Sequence, residues 1–263
     1  MSTYHGVIKK EYKPRVQSLR DDLNARKDKD FFWPTGTQIY VGRQGSGKTI
    51  SAIKHLYALK ARYPKSKIVS NLALTEFKPR EFRNKGQLNA ILKDFNSSKD
   101  YIYFQSMDEL SIALTNVNNG FHGVIFIVDE IHTYFNALDS KNIPMYVFTE
   151  ISQQRKQRKL IIGTSQLFLR MAKPLREQCD NLITCKTLFG VLTIQKAYDG
   201  MTLTQDYDGN LSGNHKKTGW FWHTRKIRNA FDTYQKVVSG SDQFEELSRI
   251  EVRDSKHKKL NFM

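Results

Sequence analysis

The sequence predicts an α/β fold: a central, mostly parallel β-sheet with helices on both faces, a short N-terminal arm and a basic C-terminal extension. Three observations predict it. Apolar strand-like runs alternate with amphipathic helical stretches as far as about residue 185. A glycine-rich run, GRQGSGKT (residues 42–49), separates the first apolar strand from the first amphipathic helix. A later, wholly apolar strand, VIFIV, runs straight into Asp129 and Glu130.

Taken in order, residues 1–36 form a basic arm. Val16, Leu19 and Leu23 fall at helical spacing after Pro14, which predicts a short helix there, and FFWPTG closes the arm with a turn. A core spans residues 37–198. TQIYVG (37–42) is a short buried strand. KTISAIKHLYALKARY is a helix with Ile50, Ile53, Leu56, Tyr57 and Ala61 on one face, stopped by Pro64. KIVSNLAL (67–74) is the second strand. GQLNAILKDF and SMDELSIALTNV read as helices, the second opened by a Ser106–Glu109 capping box, with YIYF as a short strand between them. NNGFHG is a loop before VIFIV. NIPMYVFTEISQQRKQR reads as a helix with a very basic end, KLIIGTSQ (159–166) as the next strand and KPLREQC as a short helix. NLITCKT and VLTIQKAY are strands that pair with each other. Residues 199–218 are polar and turn-rich, an exposed insertion or hairpin, and 219–263 complete the core and end in a basic tail.

Composition narrows the partners. A chain of 263 residues is long enough for a sizeable core. Its formal net charge of +16 favours polyanions such as nucleic acid or an anionic membrane. Cys179 and Cys185 have no neighbouring Cys or His at zinc spacing and read as reduced thiols. No run approaches the ~20 apolar residues of a membrane span, and the first residues hold no apolar targeting core. The expectation is a cytoplasmic protein without a membrane span.

GRQGSGKT has the G-x-x-x-x-G-K-T spacing of a phosphate-binding loop. Gly42, Gly45 and Gly47 let the backbone curl so that its N–H groups, Ser46 among them, point inward at a triphosphate. The following helix aims its N-terminus at the same charge. Lys48 reaches the β- and γ-phosphates and the Thr49 hydroxyl ligates Mg²⁺. A chance glycine-rich turn is the alternative, and the flanking strand and helix argue against it. ATP and Mg²⁺ are therefore the expected cofactors.

Such a site needs an acid at a second strand end, and Asp129 is placed to hold the metal. Glu130, one residue on, can polarise an attacking water. Gln166, at the tip of the KLIIGTSQ strand, can sense the γ-phosphate or position water, with an ordinary loop amide as the alternative. Arg155 and Arg158, three apart on the basic helix end, are candidates for an arginine supplied to a neighbouring subunit's site, with Arg176 a third. Otherwise they are a solvated basic helix end. His132 is given no chemistry.

These residues together resemble a family. GRQGSGKT, KIVSNLAL, VIFIVDEIH and the run from ISQQRKQR to CDNLI are similar to FtsK/HerA-type ATPases, in particular the zonula-occludens-toxin-like (Zot) branch and the viral genome-packaging ATPases. SNLAL stands where that family has a Ser-Asn or Thr-Asn strand, and NAFDTYQKV (229–237) resembles its closing Phe-Asp-x-Tyr segment. The likeness covers roughly residues 37–238. It implies a RecA-like P-loop fold of the additional-strand (ASCE) type, ring assembly as a pentamer or hexamer, and ATP-driven movement of DNA. By residue it implies Lys48 and Thr49 for nucleotide and Mg²⁺, Asp129 for metal, Glu130 for water and Gln166 as sensor. Filamentous-phage Zot-type proteins carry a membrane span, and no such run is visible here.

The leading expectation is a DNA-translocating, genome-packaging ATPase, acting on double-stranded DNA with a capsid portal or other virion protein as partner. Lys216, Lys217, Arg225, Lys226 and Arg228, with the tail residues Lys256, Lys258 and Lys259, are candidate phosphate contacts. DNA extrusion and morphogenesis, in the manner of Zot-like proteins, is one alternative. A helicase is another: D-E-x-H is a box of helicases with two RecA-like lobes in one chain, and since only one lobe fits here, a single-lobe hexameric helicase is the form this takes. A small-molecule kinase would leave Glu130 unexplained.

Overall fold

A computed structural model describes residues 28, 30–95, 99–205 and 211–231. The helix expected after Pro14, the tail lysines Lys256, Lys258 and Lys259, and most of NAFDTYQKV lie outside the described residues.

Strand β1 (Gly36–Val41) leads through the glycine-rich loop into helix α1 (Lys48–Arg62). Ile50, Ile53 and Leu56 are buried along one face of α1 as expected, joined by Leu59, whereas Tyr57 is half-buried and Ala61 is exposed. The helix ends at Tyr63, just before Pro64, and Lys60 Nζ donates to the carbonyls of Pro64 and Ser66, 2.7 Å away in each case. Next come β2 (Lys67–Ser70), β3 (Lys78–Glu81), α2 (Lys85–Lys93), β4 (Asp100–Tyr103) and α3 (Met107–Asn116). The capping box at Ser106 and Glu109 forms as expected. Strand β5 (Val124–Val128) is buried throughout, and α4 (Met145–Ser152), β6 (Lys159–Ser165) and α5 (Lys173–Arg176) follow. Two long strands, β7 (Cys179–Leu188) and β8 (Leu192–Asp199), precede the small pair β9 (Thr204–Gln205) and β10 (Leu211–Ser212). Strand β11 (His215–Trp222) and α6 (Arg225–Arg228) close the described chain.

The main sheet has nine strands in the order β11-β8-β7-β1-β6-β5-β2-β4-β3. From β7 to β3 every pairing is parallel, while β7–β8 and β8–β11 are antiparallel. Two apolar layers cover it. Ile53 and Leu56 of α1, with Tyr63 just after it, pack on one face with Tyr40, Ile125, Ile127 and Ile183. Residues of α3, α4 and α5 pack on the other with Ile39, Val41, Phe126 and Leu182. Burial on both faces explains the unbroken apolar run of β5. The sheet is therefore the predicted α/β arrangement of RecA-like P-loop ATPases, with β6 inserted between the glycine-loop strand β1 and the acid-bearing strand β5.

Several elements differ from expectation. β2 ends at Ser70, which frees Asn71 for the site. KPRE forms β3, an edge strand whose charged side chains point to solvent while Arg80 pairs with Asp100 at 3.1 Å. Helix α4 stops at Ser152, so Arg155 and Arg158 do not share a helical face. Past Ile151 no apolar side chain anchors another turn. Gln154 is buried against Thr37 instead, and Arg158 takes a left-handed backbone at φ 50°. The 199–218 stretch contains the small β9–β10 pair but also begins β11, which extends the main sheet. Phe31 and Phe32, at the end of the expected arm, are buried in the core. Both cysteines are free and buried.

Candidate active site

The C-terminal tips of β1, β6 and β5 lie side by side, and the functional side chains converge there. The loop after β1 is built on positive φ at Gly42 (154°), Gly45 (74°) and Gly47 (85°). Gly47 caps α1 with no side chain of its own, so the first N–H groups of the helix stay unclaimed. Packing forces glycine at this cap as well. A Cβ there would stand 2.5 Å from both Thr187 Oγ1 of β7 and Thr193 Oγ1 of β8. Ser46 Oγ is buried with no hydrogen-bond partner. Lys48 is buried and its ammonium donates to the Arg43 carbonyl at 3.2 Å.

Asp129 is the hub. Its Oδ1 accepts from Thr49 Oγ1 at 2.9 Å and from Thr164 Oγ1 at 2.7 Å. Its backbone is clamped by Asn71, which accepts from Asp129 N–H at 2.8 Å and donates to its carbonyl at 3.0 Å. Asn71 also donates to the Tyr134 hydroxyl, which donates to the Gln105 carbonyl. Burial pushes the Asp129 carboxyl above the ordinary range, while the hydroxyls of Thr164 and Thr49 and the charge of Lys48 pull it back. A divalent cation beside it would favour the ionised form.

Glu130 follows in a left-handed conformation, φ 47° and ψ 50°, which costs a non-glycine residue about 1–2 kcal/mol. Its N–H donates to Thr164 Oγ1 at 2.9 Å, so one buried hydroxyl holds both acids. Burial raises the Glu130 carboxyl, opposed first by Lys48 and then by Gln166 and Arg170, with Asp129 adding to the rise. Its Oε2 is buried without a hydrogen bond. His132 Nδ1 stands 3.2 Å from that oxygen and 3.3 Å from Ser165 Oγ, whose own proton goes to the Leu167 carbonyl. That pattern places the proton of the neutral ring on Nδ1. Burial, Arg170 and Lys48 all hold the ring below its ordinary pKa.

The structure thus brings Gly42, Gly45, Ser46, Gly47, Lys48, Thr49, Asp129, Glu130 and Gln166 to one place. Arg155 and Arg158 are not part of it. They sit just before β6 begins, at the opposite end of the central strands. Arg155 pairs with Asp180 at 2.9 Å, and Arg158 lies 3.7 Å from the Phe31 ring and donates to the Phe32 carbonyl. Arg176, the third candidate, lies over Phe168. Thr164, His132, Asn71 and Arg170 are members that sequence reasoning does not assign. The strand-end run Thr-Ser-Gln and the D-E-x-H spacing are the available signals for the first two. Among the basic candidates, Lys216 is engaged by Asn181 and Asp199, Lys226 by Glu76 and Arg228 by the Gly190 carbonyl. Lys217 and Arg225 make no ion pair among the described residues.

The donor set fits a magnesium nucleotide. One carboxylate and one hydroxyl at a helix N-terminus leave room for phosphate oxygens and water, as Mg²⁺ requires. No cluster of three or more metal-ligating side chains exists among the described residues to suggest another ion. No described helix is long and apolar enough to cross a membrane.

The family model described as zonular occludens toxin (Zot) matches residues 36–240. A comparison with curated protein sequences gives no match. Among solved structures, the genome packaging NTPase B204 from Sulfolobus turreted icosahedral virus 2 in complex with ATP-gammaS is 15% identical, covers 70% of this chain and 97% of its own, and has a TM-score of 0.46. The N-terminal domain of zonular occludens toxin from Neisseria meningitidis is 12% identical, with 76% and 100% coverage and a TM-score of 0.46. The flagellar accessory protein FlaH from Methanocaldococcus jannaschii is 15% identical, with 77% and 91% coverage and a TM-score of 0.43. These are likenesses of architecture only.

Proposed function

The chain belongs to the zonular occludens toxin family, and on that premise we propose that it is an ATP-driven motor that moves DNA, assembled as an oligomeric ring. Genome packaging is the preferred task, with DNA extrusion the alternative. The observation that carries the reading is the meeting of Thr49, on the first turn of α1, with Asp129 and Thr164 at the tips of β5 and β6, and the buried Glu130 carboxylate beside them.

Each residue then has a task. The 42–47 backbone and the α1 N-terminus bind the triphosphate, and Lys48 neutralises its outer phosphates. Thr49 and Asp129 hold Mg²⁺, which when bound spreads the charge that builds up on the transferring phosphoryl group. Glu130 accepts the proton of the attacking water, and burial, by raising its carboxyl above the ordinary range, makes it a stronger base than a solvated carboxylate. Gln166 orients that water and touches the base at the same time. A trans-acting role for Arg155 or Arg158 requires a neighbouring subunit to present the end of the sheet at which β6 begins. Mixing Lys48→Ala with Arg155→Ala/Arg158→Ala subunits tests it: recovered activity supports a shared site, and no recovery removes both arginines.

The excess of basic over acidic residues suits a polymer gripped through its phosphates. ATP turnover with and without DNA at low salt, for the wild type, Lys48→Ala and Glu130→Gln, tests the whole reading. Glu130→Gln is expected to bind ATP and assemble but not turn over. A rate that DNA leaves unchanged would move the function to a partner other than nucleic acid.

A further inference from the structure

We propose that the open face of the antiparallel extension, centred on Trp220 and Trp222, is a stacking platform for unpaired nucleotides. The proposal rests on the DNA-motor reading and names the form of the polymer met at this surface.

The register defines the face. Trp220 lies opposite Ile194, which lies opposite Lys186. Trp222 lies opposite Leu192, and Thr218 opposite Lys196. Side chains alternate along a strand, so these residues share one side of the sheet. The other side faces α1, where Lys54 sits 4.2 Å over the Phe221 ring and Cys185 meets Ser51. On the Trp side, Leu182 still belongs to the core beneath the helices, but Lys186, Lys196, Trp220 and Trp222 are exposed. Among the described residues, helical cover on this face therefore stops at β7.

Two indoles left 66% and 57% exposed on adjacent outward positions need a partner. Chemistry selects which one. Lys186 and Lys196 flank the indoles, and no residue in register with Trp220, Trp222 or Thr218 is acidic. Aromatic faces bordered by cations suit bases and phosphates together. A duplex hides its base faces, so the strand must be unpaired. The indoles are two residues apart, about 6.5 Å along the strand, which gives each one room for a base.

The protein has three tryptophans, so in a Trp33→Phe background fluorescence reports on Trp220 and Trp222 alone. The experiment titrates the full chain at low salt with oligothymidine of about 20 nucleotides, enough to span one single-strand site, and with a duplex of equal length. The single strand is expected to quench the indoles saturably. Trp220→Ala and Trp222→Ala should each weaken it about tenfold or more and leave duplex affinity within about twofold. Trp220→Tyr, which keeps a ring, should retain most of the affinity, and thermal melting checks that each variant folds. Lys186→Ala with Lys196→Ala should flatten the salt dependence by about 0.7 for each phosphate no longer held. Unchanged single-strand affinity in both Trp variants, equal losses for both forms of DNA, or dissociation of an oligomer by Trp220→Ala would overturn the proposal, the last by showing that a second copy covers the face. If duplex binds and stimulates turnover while the Trp variants change nothing, only this proposal falls. If neither form of DNA binds, the motor reading falls with it.

Discussion

Thr164→Val is the most informative perturbation of the site. The hydroxyl is fully buried, donates to Asp129 Oδ1 at 2.7 Å and accepts from Glu130 N–H at 2.9 Å. Valine has nearly the same shape, so packing changes little while both hydrogen bonds go. A bond to a charged partner contributes about 1.5–3 kcal/mol, and an orphaned buried N–H costs about 1–3 kcal/mol. The two losses share one atom and do not add fully, which gives a net destabilisation of about 3 kcal/mol. For a chain of this size that is a fall of roughly 6–12 °C in melting temperature. The functional effect should exceed the stability effect. Asp129 loses the strongest hydrogen bond opposing its raised pKa and should need more Mg²⁺ to ionise. Glu130 loses the anchor that holds it in the left-handed region, and turnover should drop about a hundredfold. Melting without nucleotide and a Mg²⁺ titration of ATP hydrolysis measure the two arms. Thr164→Ser should restore both. A Thr164→Val protein within about 0.5 kcal/mol of wild type, with an unchanged Mg²⁺ requirement, would refute the hub described here.

Two further substitutions test the loop and the core. Gly47→Ala should abolish nucleotide binding and lower stability, because its Cβ would strike Thr187 and Thr193 at 2.5 Å, whereas Gly45→Ala faces open space and should cost only the strain of its positive φ, about 1–2 kcal/mol; isothermal titration with an ATP analogue compares them. Lys159 is 1% exposed, donates to the Leu114 carbonyl at the end of α3, and is held by burial at a pKa of about 8 against the usual 10.5. The unfolded chain binds the extra proton between those values, so stability should rise as pH goes from about 8 to 10.5, and the burial cost of about 3 kcal/mol is fully present below 8. Lys159→Met should therefore gain about 1–2 kcal/mol at pH 7 after its lost hydrogen bond is counted, with a smaller gain at pH 10, as read by urea unfolding.

What the sequence made legible follows from the range of the forces involved. The glycine loop, the strand β5 and the capping box of α3 are local patterns, and each stands where the spacing put it. Their shared location at one sheet end followed from the alternation of strands and helices. Long-range decisions were not legible. Nothing local in KPRE calls for a strand, because β3 exists only by pairing with β4. Arg155 and Arg158 looked helical from their spacing, but the buried Gln154 and the fixed start of β6 ended the helix first. Thr164 looked like one of three polar residues at a strand tip. Its role came from β6 lying beside β5, which places its hydroxyl between the two acids. His132 looked incidental, yet the left-handed turn at Glu130 brings its ring back to within 3.2 Å of the carboxylate.

The antiparallel extension also bears on how the two ends of the proposed function communicate. Gly47 lies under Thr187 and Thr193, whose hydroxyls are 2.8 Å apart. Thr193 Oγ1 is in turn 2.6 Å from His223 Nε2, and His223 directly follows Trp222 and donates its backbone N–H to the Val191 carbonyl at 2.7 Å. The loop that takes the phosphates thus packs against two hydroxyls, and two short polar contacts, Thr187–Thr193 and Thr193–His223, lead from there to the residue beside Trp222. Linkage makes any coupling through them reciprocal: if an ATP analogue changes oligonucleotide affinity, the oligonucleotide changes analogue affinity by the same factor, on the order of 5–150-fold in ordinary cases. Thr193→Val removes both of these contacts and leaves both binding surfaces in place. Measuring each affinity with and without the other ligand should give a large ratio in the wild type and a ratio near one in Thr193→Val. An equal ratio in both proteins would mean that any coupling runs through another part of the fold, and that these hydroxyls serve only to pack the loop.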